Sequence, residues 1–300
     1  MIGLIVNESM KIYNRKLTWI LLLLLIAITT GASVLGKIND TASKDWRSET
    51  TQLVQRYEER LKITELSPML RADAENKRKI AKYRLENNMA TPSGDPWSAL
   101  LSFSGLVEMV IVFAIVMAAD MVAGEYTAGT MKLLLIRPHS RTKIFFSKYI
   151  AVSLFAIVML ILLVICGYAA NALFYGTGDI HARDLFLDPQ GQIIQRNVMM
   201  QAIKMYGLSI VPIMGYVTLA FAVSTVLHNS ALAVGISLFI MIVGNSMTEA
   251  TAKMEWLKYL PFANSDISLY IFHLPARPEM PTTPIRYSPQ DNCMSMYGVT

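Results

Sequence analysis

The residues of this sequence whose types and spacing could do chemistry are gathered in one stretch. From Met121 to Lys148 the chain reads MVAGEYTAGTMKLLLIRPHSRTKIFFSK, a polar, cation-bearing segment between two long apolar runs. Its chemistry is that of docking and charge rather than of bond making. Gly124 and Gly129-Thr130-Met131 have the opening spacing of a phosphate loop, but no Lys-Ser/Thr follows the second glycine and no strand precedes it, so phosphate cradling is rejected. HExxH, GxSxG and paired intramembrane acids are absent from the sequence, which argues against an integral membrane enzyme. Cys166 and Cys293 form neither a CxxC nor a ligand set with the four histidines. No catalytic, cofactor-binding or metal-ligating group is expected on this chain.

One acidic residue outside the stretch carries a separate expectation. Glu108 lies eleven residues beyond Trp97, roughly 16 Å along an unbroken helix and near the bilayer midplane, where an acid costs on the order of 3 kcal/mol to insert. It should face the bundle interior or a partner, lining a translocation path or bonding a neighbouring span. The 19 methionines are scattered and read as packing filler.

A membrane scaffold must position these residues. Hydrophobic residues make up 53% of the chain against 16% charged, with mean hydropathy +0.40, more apolar surface than a soluble domain uses. The fold class is all-α: a polytopic helical membrane protein with five visible spans, at 17–36, 97–120, 149–174, 206–227 and 231–250. A basic flank before the first run also permits a signal peptide there, but the run is span-length and the chain re-enters the membrane repeatedly.

Residues 1–16 place Ile2, Ile5, Val6, Ser9 and Tyr13 on one helical face and Asn7, Glu8, Lys11, Asn14 and Arg15 on the other, the period of an interfacial helix. Residues 37–96 form a polar insertion read as an extracytoplasmic helical hairpin. Trp46, Leu53, Val54, Tyr57 and Leu61 recur at helical spacing, and Ser67-Pro68 opens a second helix. Its acids and bases nearly balance, against a nucleic-acid partner.

Residues 175–205 read as a loop with a Gly176/Gly178 break and an Asp188-Pro-Gln-Gly191 turn, leading into a short helix. The short connection Leu227-His-Asn-Ser230 makes the spans on either side antiparallel neighbours. Aromatic, proline-broken residues 251–273 suit an outer interface, and 274–300 is a proline-rich irregular tail that cannot span. Lys11, Arg15, Lys16, Lys132, Arg137, Arg141, Lys143 and Lys148 place the N-terminus and the 121–148 segment in the cytoplasm of a multi-pass cell-membrane protein.

The run Gly124-Glu-Tyr-Thr-Ala-Gly-Thr-Met-Lys-Leu-Leu-Leu-Ile-Arg-Pro-His-Ser-Arg-Thr-Lys resembles the signature of type-2 ATP-binding-cassette (ABC) transporter permeases between their second and third spans. The likeness extends over roughly 1–272, although outside this run it is mostly the order of apolar segments. It implies a coupling helix seated on a separate ATP-binding ATPase subunit, with Glu125, Gly129, Thr130, Met131, Lys132, Leu133, Leu134 and Arg137 as coupling residues. It also implies a second permease subunit, as homo- or heterodimer, export as the direction of transport, and ATP bound by the partner ATPase. Residues alone leave open a basic juxtamembrane loop that touches membrane lipid. The family pattern includes a sixth span after Leu260-Pro261-Phe262, where this chain has its proline-rich tail, so the chain is either truncated or frame-shifted, or its architecture is altered. The expected function is the permease subunit of an ABC exporter. The alternative is a non-transporting membrane sensor or scaffold using the 37–96 hairpin.

Overall fold

A helix can cross a membrane only if some twenty successive residues are apolar and satisfy their own backbone. Four segments meet that demand, Lys16–Ile38, Ser104–Thr127, Thr142–Tyr175 and Val198–Val226, and Ser230–Gly244 is a shorter apolar helix. The computed structural model describes residues 1–41, 46–63, 68–89, 95–127, 129, 140–179, 181–187, 192–227 and 229–250. Within them the protein is a mostly helical, polytopic membrane protein.

In order, the helices are α1 (Ile2–Tyr13), α2 (Lys16–Thr41), α3 (Trp46–Leu61), α4 (Pro68–Glu86), α5 (Pro96–Ser102) and α6 (Val107–Thr127), then α7 (Arg141–Tyr175), α8 (Val198–Leu208), α9 (Ile210–Val226) and α10 (Ser230–Ala250). Strands β1 (Arg183–Leu187) and β2 (Ile193–Asn197) lie between α7 and α8.

Several expected boundaries are corrected. The run 97–120 is not one helix: α5 ends at Ser102, a 3-10 turn covers Ser104–Leu106, and α6 begins at Val107. The cause is local, because Ser102, Ser104 and Gly105 are weak helix formers that compete with or loosen the backbone. Asp95 caps α5, its Oδ2 accepting from Ser98 N at 3.0 Å, and Pro96 occupies the first helical position, where a missing N–H costs nothing. Glu108 therefore lies in the first turn of α6, roughly 6 Å from the start of that span rather than at its middle, and is exposed on the surface of the chain.

The third span is also longer than 149–174. Helix α7 has 35 residues, roughly 52 Å of rise against a hydrocarbon core of about 30 Å, so it begins well inside the polar 121–148 segment. The fourth begins at Val198 instead of 206, as α8 and α9 joined at Ser209. The expected loop 175–205 contains an antiparallel β-ribbon, Arg183 opposite Asn197 through Leu187 opposite Ile193. Asn197 ends the ribbon and caps α8, accepting from Met200 N at 3.1 Å. The 251–273 segment and the 274–300 tail lie outside the described residues.

Helix α6 is the centre of the bundle, packed on α7, α9 and α10, while α1 and α2 pack on α7. Its fully buried positions include Ala114, Ala118, Ala119 and Ala123, small side chains that let neighbouring backbones approach. Ser224 of α9 exploits that approach: its Oγ accepts from Ala123 N at 2.9 Å and donates to Ala119 O. A hydroxyl is thus inserted into the backbone ladder of α6. Gly167 does similar work at the other end, since a Cβ there would stand 2.7 Å from Leu100 Cδ1 and 3.5 Å from Thr29 Cγ2. Helices α3 and α4 pack on each other, joined at their surface by Lys82 and Glu58 at 2.9 Å.

Candidate functional site

Charged residues near the ends of apolar helices must be solvated or paired. Towards the connector end of α6 lie Asp120 and Glu125, and both are paired by the chain's first sixteen residues. Helix α1 turns its charged face inward: Glu8 is 3% exposed, whereas Ile2, Val6 and Met10 are exposed on the other side. The amphipathic period of 1–16 is present, but the polar face is the packed one. Packed this way, Lys11 of α1 and Arg15 just beyond it reach the acids near the end of α6.

At the centre is Lys148 of α7, 1% exposed. Its Nζ donates to Glu8 Oε2 at 2.7 Å and to Glu125 Oε1 at 2.6 Å. Lys11 Nζ donates to Glu8 Oε1 at 2.7 Å and to Glu125 Oε1 at 3.2 Å. Two ammonium groups and two carboxylates cancel, which is what makes their burial tolerable. Burial works to raise the Glu8 carboxyl, but hydrogen bonds and charge from Lys11 and Lys148 outweigh it and hold it below the ordinary glutamate value. Burial likewise works to lower the Lys11 ammonium, and Glu8 with Glu125 hold it above its ordinary value.

A second pair lies beside the first. Arg15 Nη1 bonds Asp120 Oδ2, and Ser230 Oγ bonds Asp120 Oδ1, so one carboxylate joins the α1–α2 corner to α6 and to the start of α10. Thr127 is the last residue of α6. Its Oγ1 donates to Ala123 O at 3.0 Å and accepts from Ser230 N at 3.3 Å.

This arrangement can transmit displacement. Glu125 lies just before α6 ends and Lys148 in the second turn of α7, so their contact closes the base of the connector between the two helices and fastens both to α1. Of the coupling residues named from sequence, Glu125 belongs to this cluster. Gly129 has a φ of +69° with open space where a Cβ would stand. Thr130, Met131, Lys132, Leu133, Leu134 and Arg137 lie outside the described residues. Glu108 is remote from the cluster, at the opposite end of α6. Sequence reasoning missed Glu8, Lys11, Lys148, Arg15, Asp120 and Ser230 as partners. It counted Lys11, Arg15 and Lys148 as free cations setting orientation, yet each is neutralised by an acid of the same chain. The available signal was Glu8, Lys11 and Arg15 at helical spacing together with two acids in an apolar run.

Comparison with known proteins agrees with the membrane architecture. Residues 75–288 match a family described as protein of unknown function (DUF2705). The chain is 34% identical over 280 residues to the uncharacterized protein YhcI of Bacillus subtilis (strain 168), across 90% of this chain and 87% of that one. It is 30% identical over 176 residues to the uncharacterized membrane protein YdbK of the same organism, across 57% of this chain and 65% of that one. No solved structure matches it.

Proposed function

We propose that this chain, which belongs to the DUF2705 family, is the transmembrane permease subunit of an ABC transporter, working as an exporter. The reading rests on the 121–148 run and on its resemblance to type-2 permeases. The observation that carries it is the buried Glu125–Lys148 contact at the base of the connector, 2.6 Å long and fastened to α1 through Glu8. A loop that only set topology or touched lipid would not need its two roots locked together. A loop that receives a push does, because an untethered root would absorb the displacement.

In this proposal the chain holds no ATP. A separate ATPase subunit hydrolyses it and docks on Met131, Leu133 and Leu134, with Lys132 and Arg137 at the rim. A second permease subunit completes the pathway, and Glu108, exposed on this single chain, faces that subunit or the surrounding lipid. The N-terminus and connector are cytoplasmic, 37–96 is outside, and five segments span.

The test compares two substitutions. Leu134→Asp forces a charge into the dry centre of the docking surface, a penalty that can reach several kcal/mol, and abolishes capture of the ATPase while the chain still inserts. Arg137→Ala removes a rim cation worth about 1 kcal/mol or less and weakens capture only slightly. Contact with anionic lipid alone would instead track the number of cations and be screened by salt. Retention of the ATPase by Leu134→Asp in a pull-down refutes the assignment.

A further inference from the structure

The charged residues of α3 are Arg47, Glu49, Arg56, Glu58, Glu59 and Arg60, and they fall into two groups. Arg47 donates from Nε and Nη2 to Asn88 Oδ1, Glu58 pairs with Lys82 at 2.9 Å, and Glu49 is also engaged. Arg56, Glu59 and Arg60 make no hydrogen bond or ion pair among the described residues, and all three line one cleft together with Leu53, Tyr57 and Ile63. The cleft is partly open to solvent and has a volume of about 440 Å³, within the roughly 300–1,000 Å³ of small-molecule sites.

Helical spacing explains how these side chains reach one space. Thr50 and Val54 are buried where α3 packs on α4. Leu53, Tyr57 and Arg60, at i, i+4 and i+7, form the strip beside that packed face, and Arg56 and Ile63 flank it. Leu53 and Tyr57 are half-buried, while Arg56, Glu59, Arg60 and Ile63 are exposed, so apolar ground lies deeper than the charges. Arg56 and Arg60 stand one turn apart, roughly 6 Å of rise, so that one anionic group can meet both guanidiniums.

The chemistry of the lining narrows the ligand. Two guanidiniums against one carboxylate leave one positive charge in excess, which repels a cation and suits a single negative charge better than several, since Glu59 opposes each further one. A planar carboxylate matches the guanidinium fork. A bare inorganic anion would make no use of Leu53, Tyr57 and Ile63, whereas an apolar or aromatic body gains by covering them. Solvated arginines on an ordinary helix face also lack partners; these two differ in sharing a cleft with half-buried apolar ground.

We infer that the α3 cleft is a binding site for an amphipathic carboxylate, its headgroup held between Arg56 and Arg60 and its apolar body lying on Leu53, Tyr57 and Ile63. The site is in the 37–96 hairpin and shares no residue with the connector, so it stands whether or not an ATPase docks there.

The test is calorimetric titration of the purified full chain in phosphatidylcholine nanodiscs, with empty nanodiscs as the blank. The probes are 3-phenylpropanoate, its neutral amide 3-phenylpropanamide, and propanoate. 3-Phenylpropanoate binds saturably, and the amide and propanoate bind at least about tenfold more weakly, the first lacking the charge and the second the apolar body. Arg56→Gln and Arg60→Gln each weaken 3-phenylpropanoate by about threefold or more and together by more than about tenfold, and Glu59→Gln tightens it by about twofold. These three side chains are exposed and bond nothing in the fold, so the variants keep α3 in place. Absence of saturable binding beyond the blank overturns the site. Equal binding of the amide shows a merely apolar groove, equal binding of propanoate shows unselective attraction of anions, and either result overturns it as well. So does wild-type affinity in the Arg56→Gln/Arg60→Gln chain.

Discussion

Replacing Lys148 by methionine removes one charge from a four-charge cluster while nearly keeping side-chain length. The Lys148 side chain is 2% exposed, with carboxylates at 2.7 Å and 2.6 Å. Removing one member of a buried ion pair costs about 3–5 kcal/mol, because the partner is left charged and dry. Here two partners are left, but Lys11 remains 2.7 Å from Glu8 and 3.2 Å from Glu125, and its side chain is 37% exposed. Lys11 takes up part of the loss, so the low end of that range applies, about 3 kcal/mol. The cluster then carries a net negative charge. Adding Glu125→Gln restores neutrality, with Glu8 still held by Lys11, and the double variant should be more stable than Lys148→Met by about 1–2 kcal/mol, within the usual range of coupling between touching residues. Denaturant or thermal unfolding in micelles, followed by tryptophan fluorescence, measures the wild type, both single variants and the double. Wild-type stability in Lys148→Met, or a double variant whose loss equals the sum of the singles, refutes the claim that these residues form one buried unit.

The same cluster sets a pH window. Glu8 is held below its ordinary value, so its contribution is complete above the ordinary glutamate range and is lost as pH falls through its lowered value. Lys11 is held above its ordinary value, so its contribution is complete below the ordinary lysine range and fades as pH rises through the raised value. Stability attributable to the cluster should be flat between, and a Glu8→Gln chain that loses stability with acid as steeply as wild type contradicts this. Ser224→Ala should cost about 1 kcal/mol, the scale of one buried hydrogen bond, because the Ala119–Ala123 ladder can reclose; equilibrium unfolding checks it. Gly167→Ala should cost about 1–3 kcal/mol by overpacking against Leu100, and pairing it with Leu100→Ala should recover part of the loss in the same assay. Ser140→Cys should be labelled only from the inside of intact cells and Ser67→Cys only from the outside; label at 140 with none at 67 reverses the proposed orientation.

The apolar content of 17–36 or 149–174 was legible because hydrocarbon admits few alternatives. Where each helix stops was not, since Ser102 to Gly105 interrupts a run whose hydropathy barely changes, and that interruption moves Glu108 from mid-membrane to a helix start. The ribbon at 183–197 was hidden because each strand is five residues long, too short for its alternation to stand out from a loop. For the candidate site, Glu125 was visible through its motif, but its partners lie 23 and 114 positions away in sequence at Lys148 and Lys11, and Glu8 is held by the same two lysines.

The charges nevertheless carry a register that sequence could have supplied. Asp120 and Glu125 are separated by roughly 7.5 Å of helical rise, and Lys11 lies in α1 with Arg15 four residues on, at the α1–α2 corner. Lys11 pairs with Glu125 and Arg15 with Asp120, so the order along the N-terminal segment runs opposite to the order along α6. The chain must therefore enter at the connector end and climb away from it into α2. A slip of one turn would bring Arg15 away from Asp120 and leave that carboxylate with Ser230 as a neutral partner. Matching two acids to two bases in this order thus fixes both the direction and the height of the N-terminal segment against the bundle, which a hydrophobic face alone cannot do.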